Sequence, residues 1–292
     1  ARRARRMSRD GDDGEPAGVR RSAGDDPPAF RADLADGVCR FYRPAGAARF
    51  LSTGFDGGVR VADAGYNVTV PDGWGDAGPR DLGAYVADRV AAAALDGEGR
   101  GDATVAAAAD DGPPALLTGV DQRHARIARL NGATVLATAG VSNPAALPVA
   151  ALTEATTRTR GTAVGGDDRP PAGTVNLLVG VDRSLEPGAL ANLVAVAAEA
   201  KAATLLATAG FPGTTSDAIV VGSPPAAADD TDPAPFSGSA TPVGSAVRSC
   251  VRDAVRSSLV SRYGEGLEGI PASVADAEHG VVTGRSAAVS AP

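Results

Sequence analysis

The sequence predicts an α+β fold, a layered sheet packed against helices, with one main domain over residues 29–264. Three observations predict it. Strand-like and helix-like segments follow one another without the regular βαβα alternation of a doubly wound sheet. Short apolar runs bounded by turn residues, such as GTVNLLVGVD (173–182), have the length and edges of buried strands. Two longer segments, 184–210 and 241–263, carry helix-start signals ahead of helical spacing. An internal echo accompanies them. ATVLATAGVSNP (133–144) and ATLLATAGFPGT (203–214) agree at seven of their first eight positions. The echo is compatible with an internal duplication. Both copies end in a loop of small residues, so the two loops are expected to line one cleft.

Residues 1–28 are rich in Arg, Asp, Gly and Pro and read as a disordered tail. Order is expected to begin near Phe30 or Phe41. RFLSTGFDGGVRVADAGYNVTVP (49–71) reads as short strands joined by a turn at Asp56-Gly57-Gly58. PRDLGAYVADRVAAAAL (79–95) reads as a helix, with Leu82, Tyr85, Val86, Val90 and Ala93 at helical spacing, and DGEGRGDA (96–103) breaks it. ATVLATAG is a strand, while HARIARL before it fits strand or helix equally. Residues 156–171 are polar and glycine-rich, and so a loop. After the GTVN strand, Ser184 or Glu186-Pro187 starts a helix expected to end near Leu206. SDAIVVGSP (216–224) is a further strand. Thr241 as N-cap and Pro242 at the first helical position start the last helix, whose buried stripe is Val243, Val247, Cys250, Val251, Ala254, Val255 and Leu259. Residues 265–292 are expected to be a loosely ordered tail.

Composition narrows the function classes. Apolar residues make up 43% of the chain but aromatics only 4%, so the core must be packed mainly with Ala, Val and Leu. A net charge of −7, with no clustered Arg past the first residues, argues against a nucleic-acid partner. The first thirty residues lack the apolar stretch of a secretion signal, and no strongly apolar run of about 18 residues suggests a membrane span, so a cytoplasmic location is expected. Cys39 and Cys250 form no CxxC, and no Cys/His cluster has zinc spacing, so no metal centre is expected.

The chemistry candidates are polar residues on otherwise apolar elements. AGFPGTTSDAIVV (209–221) is not a P-loop, because no Lys follows its glycines. It can still present backbone N–H groups and hydroxyls around Gly213, Thr214 and Thr215 to an anion or carbonyl oxygen, or serve as a connector between elements. Thr214, Thr215 and Ser216 are candidate nucleophiles that equally suit a turn. Asp217 suits a general base, or an Asx-type turn anchor. The helix over 188–206 is apolar nearly all round, and so buried, yet carries Asn192, Glu199 and Lys201, the only lysine in the chain. Glu199 and Lys201 point roughly 200° apart, so each needs its own partner or solvent. Asn176 interrupts an apolar strand, which disfavours Asn, and Thr174 lies two residues earlier on the same face. Asn143 sits in the echoing loop, where it can also make a turn with Pro144. His124 suits acid–base work near neutral pH, or a satisfied structural role. Arg248, Arg252 and Arg256 form an i, i+4 stripe that faces solvent or an anion. Trp74, the sole Trp, stacks on a ring or pins a loop.

Taken together, FLSTGF with DGG, NVTVP, LLTGVDQRHA, TAGVSNP, GTVNLLV, LEPGALANLVAVAAEAKAATL, PGTTSDAIVV and SGSATPVGSAV resemble, in this order over about residues 45–262, the adenosylcobinamide amidohydrolase family of archaeal cobinamide salvage. The resemblance implies hydrolysis of the amide that joins the aminopropanol arm to the corrin ring. The products are adenosylcobyric acid, which re-enters coenzyme B12 synthesis, and 1-amino-2-propanol. The substrate is a corrinoid whose cobalt is its own, so no protein cofactor is implied. A homo-oligomer is compatible with the sequence.

By position in these motifs, Asn176, Glu199, Lys201, Thr214 and Asp217 are the catalytic candidates. Thr174, Asn192, Gly213, Thr215, Asn143 and His124 are the substrate-binding ones. Some relatives read near GHSKLG where this chain reads GSATPVG (238–244), which leaves Asp217 or Glu199 to activate water. A covalent route is the alternative: Thr174, behind Gly173, becomes a nucleophile through self-cleavage and uses its own amine as base. A corrinoid- or nucleotide-binding protein without catalysis would share the glycine-lined cleft.

Overall fold

Ala133–Ala139 and Val175–Val181 lie antiparallel at the centre of the larger sheet, and every residue of both is buried. Neither strand therefore shows the apolar–polar alternation of a half-exposed sheet. The computed structural model describes residues 28–71, 73–74, 81–95, 112–148, 173–226, 233–277 and 279–292. The expected N-terminal tail, the break at 96–103 and the loop at 156–171 lie outside the described residues, apart from residue 28.

In chain order the first strands are β1 (Arg31–Ala35), β2 (Val38–Tyr42), β3 (Ala48–Ser52), β4 (Gly58–Ala62) and β5 (Ala64–Thr69), followed by helix α1 (Leu82–Ala92). Then come β6 (Ala115–Thr118), β7 (Arg126–Leu130), β8 (Ala133–Ala139), β9 (Pro144–Ala146) and β10 (Val175–Val181). The remainder is α2 (Pro187–Ala209), β11 (Gly213–Thr214), β12 (Ala218–Ser223), α3 (Pro242–Tyr263) and β13 (Val281–Val282). A six-stranded sheet runs β4-β3-β12-β10-β8-β7, a four-stranded sheet runs β1-β2-β5-β6, and β11-β9-β13 form a small third sheet.

Alternation sorts the side chains into four layers. Phe30, Cys39, Phe41 and Leu116 of the smaller sheet region pack on Phe50, Leu136, Leu178 and Val220 of the larger one, so the two sheets lie face to face. The outer face of the smaller sheet, through Val38, Val68 and Ala115, covers α1 at Val86. The outer face of the larger sheet, through Val135, Ala137, Leu177, Val179 and Val221, carries α2 and α3. The order is thus helix, sheet, sheet, helices. The expected α+β layered architecture holds, with the sheet doubled.

The expected starts of the two long helices hold, while α2 runs to Ala209, three residues past the end expected near Leu206. Asp81 caps α1 through the Ala84 amide, and Thr241 caps α3 through the Gly244 amide at 3.0 Å. Helix α2 ends at Gly210, which adopts φ 79°, a left-handed conformation that glycine adopts without steric cost. By length and composition α2 would also cross a membrane, but half of its most apolar window is buried in this fold. Its exposed row includes Ala191, Ala195, Glu199 and Ala203, so it is a helix packed on one side rather than all round.

The echo resolves into two different structures. ATVLATAG is β8, while ATLLATAG is the last turns of α2, so matching letters do not mark matching halves. Neighbouring residues decide: the second copy continues a helix already nucleated at Pro187. The loops that follow do meet, because Gly213 pairs with Ala145 and Thr214 with Pro144. Beyond residue 264, Leu267 and Ile270 pack on the core, and β13 pairs with β9 through Val281 and Val282.

One end of the layers collects the functional candidates. Strands β3, β5, β6 and β8 finish there, and β10 and β12 begin there, as the pairs Val175–Ala139, Asn176–Ala218, Val220–Ser52 and Thr69–Thr118 require.

Candidate active site

At the start of β12, Asp217 stands next to Val175 in register, on the helix-facing side of the larger sheet. Lys201, on the inner face of α2, reaches down to it, and the Lys201 Nζ donates to Asp217 Oδ2. Both side chains are only 10% exposed. The carboxylate accepts three more hydrogen bonds: from the Val175 amide (2.9 Å) and the Thr214 hydroxyl at Oδ1, and from the Thr214 amide (3.0 Å) at Oδ2. All four acceptor positions of an ionised carboxylate are thereby filled. A group with every acceptor position taken holds its neighbours in place, whereas a base needs a free lone pair. The ammonium retains further N–H donors.

Gly213 is a glycine because of this pair. A Cβ there would fall 2.7 Å from Asp217 Oδ2 and 3.1 Å from Lys201 Nζ. Next to it, the Asn143 amide donates to the Thr215 hydroxyl, and the Thr215 backbone amide donates to the Asn143 carbonyl at 3.2 Å. Asn143 Oδ1 is buried without a hydrogen-bond partner among the described residues. It lies against Gly173, where a Cβ would come within 2.3 Å of both Asn143 Oδ1 and Ser142 Oγ. Thr174 follows, its hydroxyl 2.8 Å from the Ser216 hydroxyl, which in turn lies 3.3 Å from the Gly173 carbonyl oxygen. Lys201, Asp217, Thr214, Gly213, Thr215, Asn143 and Thr174 thus form one continuous constellation.

Four candidates lie elsewhere. Asn176 is one residue along β10 and therefore faces the opposite side of the sheet. There it is fully buried and donates to Asn67 Oδ1 (2.9 Å) and the Leu117 carbonyl (3.0 Å), while the Asn67 amide donates to the Thr138 hydroxyl (2.9 Å). Glu199 is on the outer face of α2, 61% exposed, and pairs with Arg248 of α3 at 2.9 Å. Asn192 sits nine residues before Lys201, about 13 Å along the helix axis, and receives a hydrogen bond from Ser237 at 3.4 Å. His124 lies in a 3-10 turn at the β7 edge, with Nδ1 3.0 Å from the Ser261 hydroxyl. Its pKa is lowered, first by burial and then by the neighbouring Arg123 and Arg262. Two strands, β10 and β8, separate it from the start of β12.

Two participants were not singled out from the sequence. Asn67 sits in NVTVP, a buried Asn inside a strand just as Asn176 is. Ser142 adjoins Asn143, and only the close packing of Gly173 draws notice to it. Of the other features, Arg248 also reaches Ser239, Arg252 pairs with Asp253 on its own helix, and Trp74 packs on Tyr85 with ring centroids 4.4 Å apart.

Comparison with known proteins agrees with the family resemblance carried by the sequence motifs. The family model CbiZ, adenosylcobinamide amidohydrolase, matches residues 37–266. A protein named adenosylcobinamide amidohydrolase from Halobacterium salinarum is 50% identical over 263 residues, covering 90% of this chain and all of the relative. Among solved structures, the PH0078 protein of Pyrococcus horikoshii OT3 aligns over 82% of both chains at 12% identity with a TM-score of 0.38. The chain belongs to the adenosylcobinamide amidohydrolase family.

Proposed function

We propose that this protein hydrolyses the amide between the aminopropanol arm and the corrin ring of adenosylcobinamide, releasing adenosylcobyric acid and 1-amino-2-propanol, and that the reaction takes place at the strand end around Lys201 and Asp217. The single observation that carries the placement is the convergence there of a buried ion pair, four hydroxyls (Thr174, Thr214, Thr215, Ser216) and two glycines pressed against polar atoms. Burying two charges costs several kcal/mol each before pairing repays it. A purely structural join at this position would be made more cheaply with apolar side chains.

Amide hydrolysis needs a nucleophile, donors for the oxyanion and a proton for the leaving amine. Lys201 suits the second need: its Nζ is fixed by Asp217 and keeps N–H donors for a substrate carbonyl oxygen. Asp217, saturated by four donors, orients Lys201 and the Gly213–Thr214 backbone rather than accepting a proton. The nucleophile is then a hydroxyl of this end or a water bound beside it. Glu199 and Asn176, on other faces, have no part in bond cleavage in this account.

The test is incubation of the purified protein with adenosylcobinamide, followed by chromatography for adenosylcobyric acid and assay of free aminopropanol. Both products must appear in equal amounts. Tight binding of cobinamide without release of aminopropanol would instead favour a corrinoid-binding protein.

A further inference from the structure

The geometry points to self-cleavage: we infer that the chain hydrolyses its own Gly173–Thr174 peptide bond and that the freed Thr174 is the nucleophile of amide hydrolysis. The first half stands on the geometry alone, and the second rests on the amidohydrolase reading above.

Hydrogen-bond directions at this bond are fixed by counting protons. A serine hydroxyl carries one hydrogen. Ser216 Oγ donates to the Gly173 carbonyl oxygen at 3.3 Å, so in its 2.8 Å contact with Thr174 Oγ1 it must be the acceptor. The chain of hydrogen bonds therefore runs from the Thr174 hydroxyl to Ser216 to the Gly173 carbonyl. That is the order in which a proton must move if Thr174 Oγ1 attacks the Gly173 carbonyl carbon. Ser216 draws the proton from the attacking oxygen and delivers its own to the oxygen where negative charge develops.

The surroundings fit the same step. Residue 173 must be glycine, because a Cβ would collide with Ser142 and Asn143, and a glycine carbonyl carbon has no side chain shielding it from attack. Asn143 Oδ1, buried and without a donor among the described residues, lies against Gly173 and is ready to accept from the ammonium that cleavage creates at Thr174. Neighbouring Val175 is locked by the Asp217 carboxylate, so the new terminus stays in place after the bond is cut.

The step balances with one water. Thr174 Oγ1 bonds to the Gly173 carbonyl carbon, the C–N bond breaks, and the nitrogen takes the hydroxyl proton. This leaves an ester between Gly173 and the Thr174 oxygen. Water adds to that ester, the C–O bond breaks, and the Thr174 hydroxyl is restored. Gly173 ends as a carboxylate and Thr174 as an ammonium. In turnover the neutral Thr174 amine takes the proton from its own hydroxyl, which attacks the substrate amide; aminopropanol leaves with a proton, and a second water frees the acid.

Intact-mass measurement and N-terminal sequencing of the purified full chain provide the test. The expected result is two fragments, 1–173 and 174–292, whose masses sum to the whole plus one water, with the second beginning Thr-Val-Asn-Leu-Leu. Thr174→Ser should still cleave, Thr174→Ala should remain whole with a wild-type circular dichroism spectrum, and Ser216→Ala should cleave about a hundredfold more slowly. A single chain that hydrolyses adenosylcobinamide at full rate would overturn the inference and leave the amidohydrolase reading standing. Cleavage that persists in Thr174→Ala would overturn it as well. A cleaved wild-type protein that releases no aminopropanol would support self-cleavage, and would sink the amidohydrolase reading instead.

Discussion

Lys201 and Asp217 form a buried ion pair that ties α2 to the first residue ahead of β12, and the same carboxylate binds the amides of Val175 and Thr214. One aspartate therefore joins a helix, the central strand and the loop that pairs with β9. Removing its partner leaves an uncompensated buried charge. Lys201→Met should lower stability by about 3–5 kcal/mol, read as an earlier midpoint in urea unfolding at unchanged slope.

Gly213→Ala places a methyl group where the Asp217 carboxylate now lies, at 2.7 Å. The neighbouring atoms are a carboxylate and an ammonium held by their own bonds, so they cannot withdraw cheaply. We expect a loss of stability of about 1–3 kcal/mol and a fall in kcat larger than any change in KM, measured by steady-state hydrolysis of adenosylcobinamide.

Glu199→Gln gives the opposite expectation. Its pair with Arg248 bridges α2 and α3 at the surface, away from the strand end. Exposed pairs contribute about 0–1 kcal/mol. The variant should unfold within that margin of wild type and hydrolyse adenosylcobinamide at the wild-type rate.

Asn176→Leu separates a packing role from a catalytic one. It removes the donor to Asn67 Oδ1 and to the Leu117 carbonyl, both between the sheets. Leaving such groups buried and unpaired costs about 1–3 kcal/mol. Thermal unfolding should register that loss. Converting Asn67 and Asn176 together to Leu should cost less than the sum of the single changes, because the paired amides are removed at once.

His124 supplies a pH signature. Burial and two arginines keep its imidazole neutral in the folded state, so its folded pKa lies below 6.5. An unfolded chain binds the proton more readily. The contribution of this group is full above the unfolded value and declines as pH falls from about 6.5 toward the folded value. An NMR titration should place the His124 midpoint below that of an unfolded peptide, and His124→Gln should remove this part of the acid sensitivity.

Much of the fold was legible because its signals are local. The Thr241 cap of α3, the Pro187 start of α2 and the largely apolar runs of β8 and β10 each encode their own element. The doubled sheet was not legible: β1 and β2 are short, carry Arg31, Asp33 and Arg40, and acquire their meaning only by packing Phe41 and Cys39 against the other sheet. For the site, glycine and polar residues on apolar elements marked Lys201, Asp217, Thr214 and Gly213 from sequence. The same reasoning could not tell which face of β10 Asn176 occupies, since strand alternation is relative until a neighbour fixes it. Nor could it show that Glu199, two residues from Lys201, would meet a third helix.

The most direct test of the active end is the double variant Lys201→Met with Asp217→Asn. It removes both charges and keeps an amide oxygen for one of the Val175 and Thr214 amides, so it should recover part of the stability that Lys201→Met alone loses. If this end performs the chemistry, the refolded double variant will hydrolyse adenosylcobinamide at least about a hundredfold more slowly than wild type. A stable double variant whose kcat stays within threefold of wild type would contradict the placement of catalysis at Lys201 and Asp217.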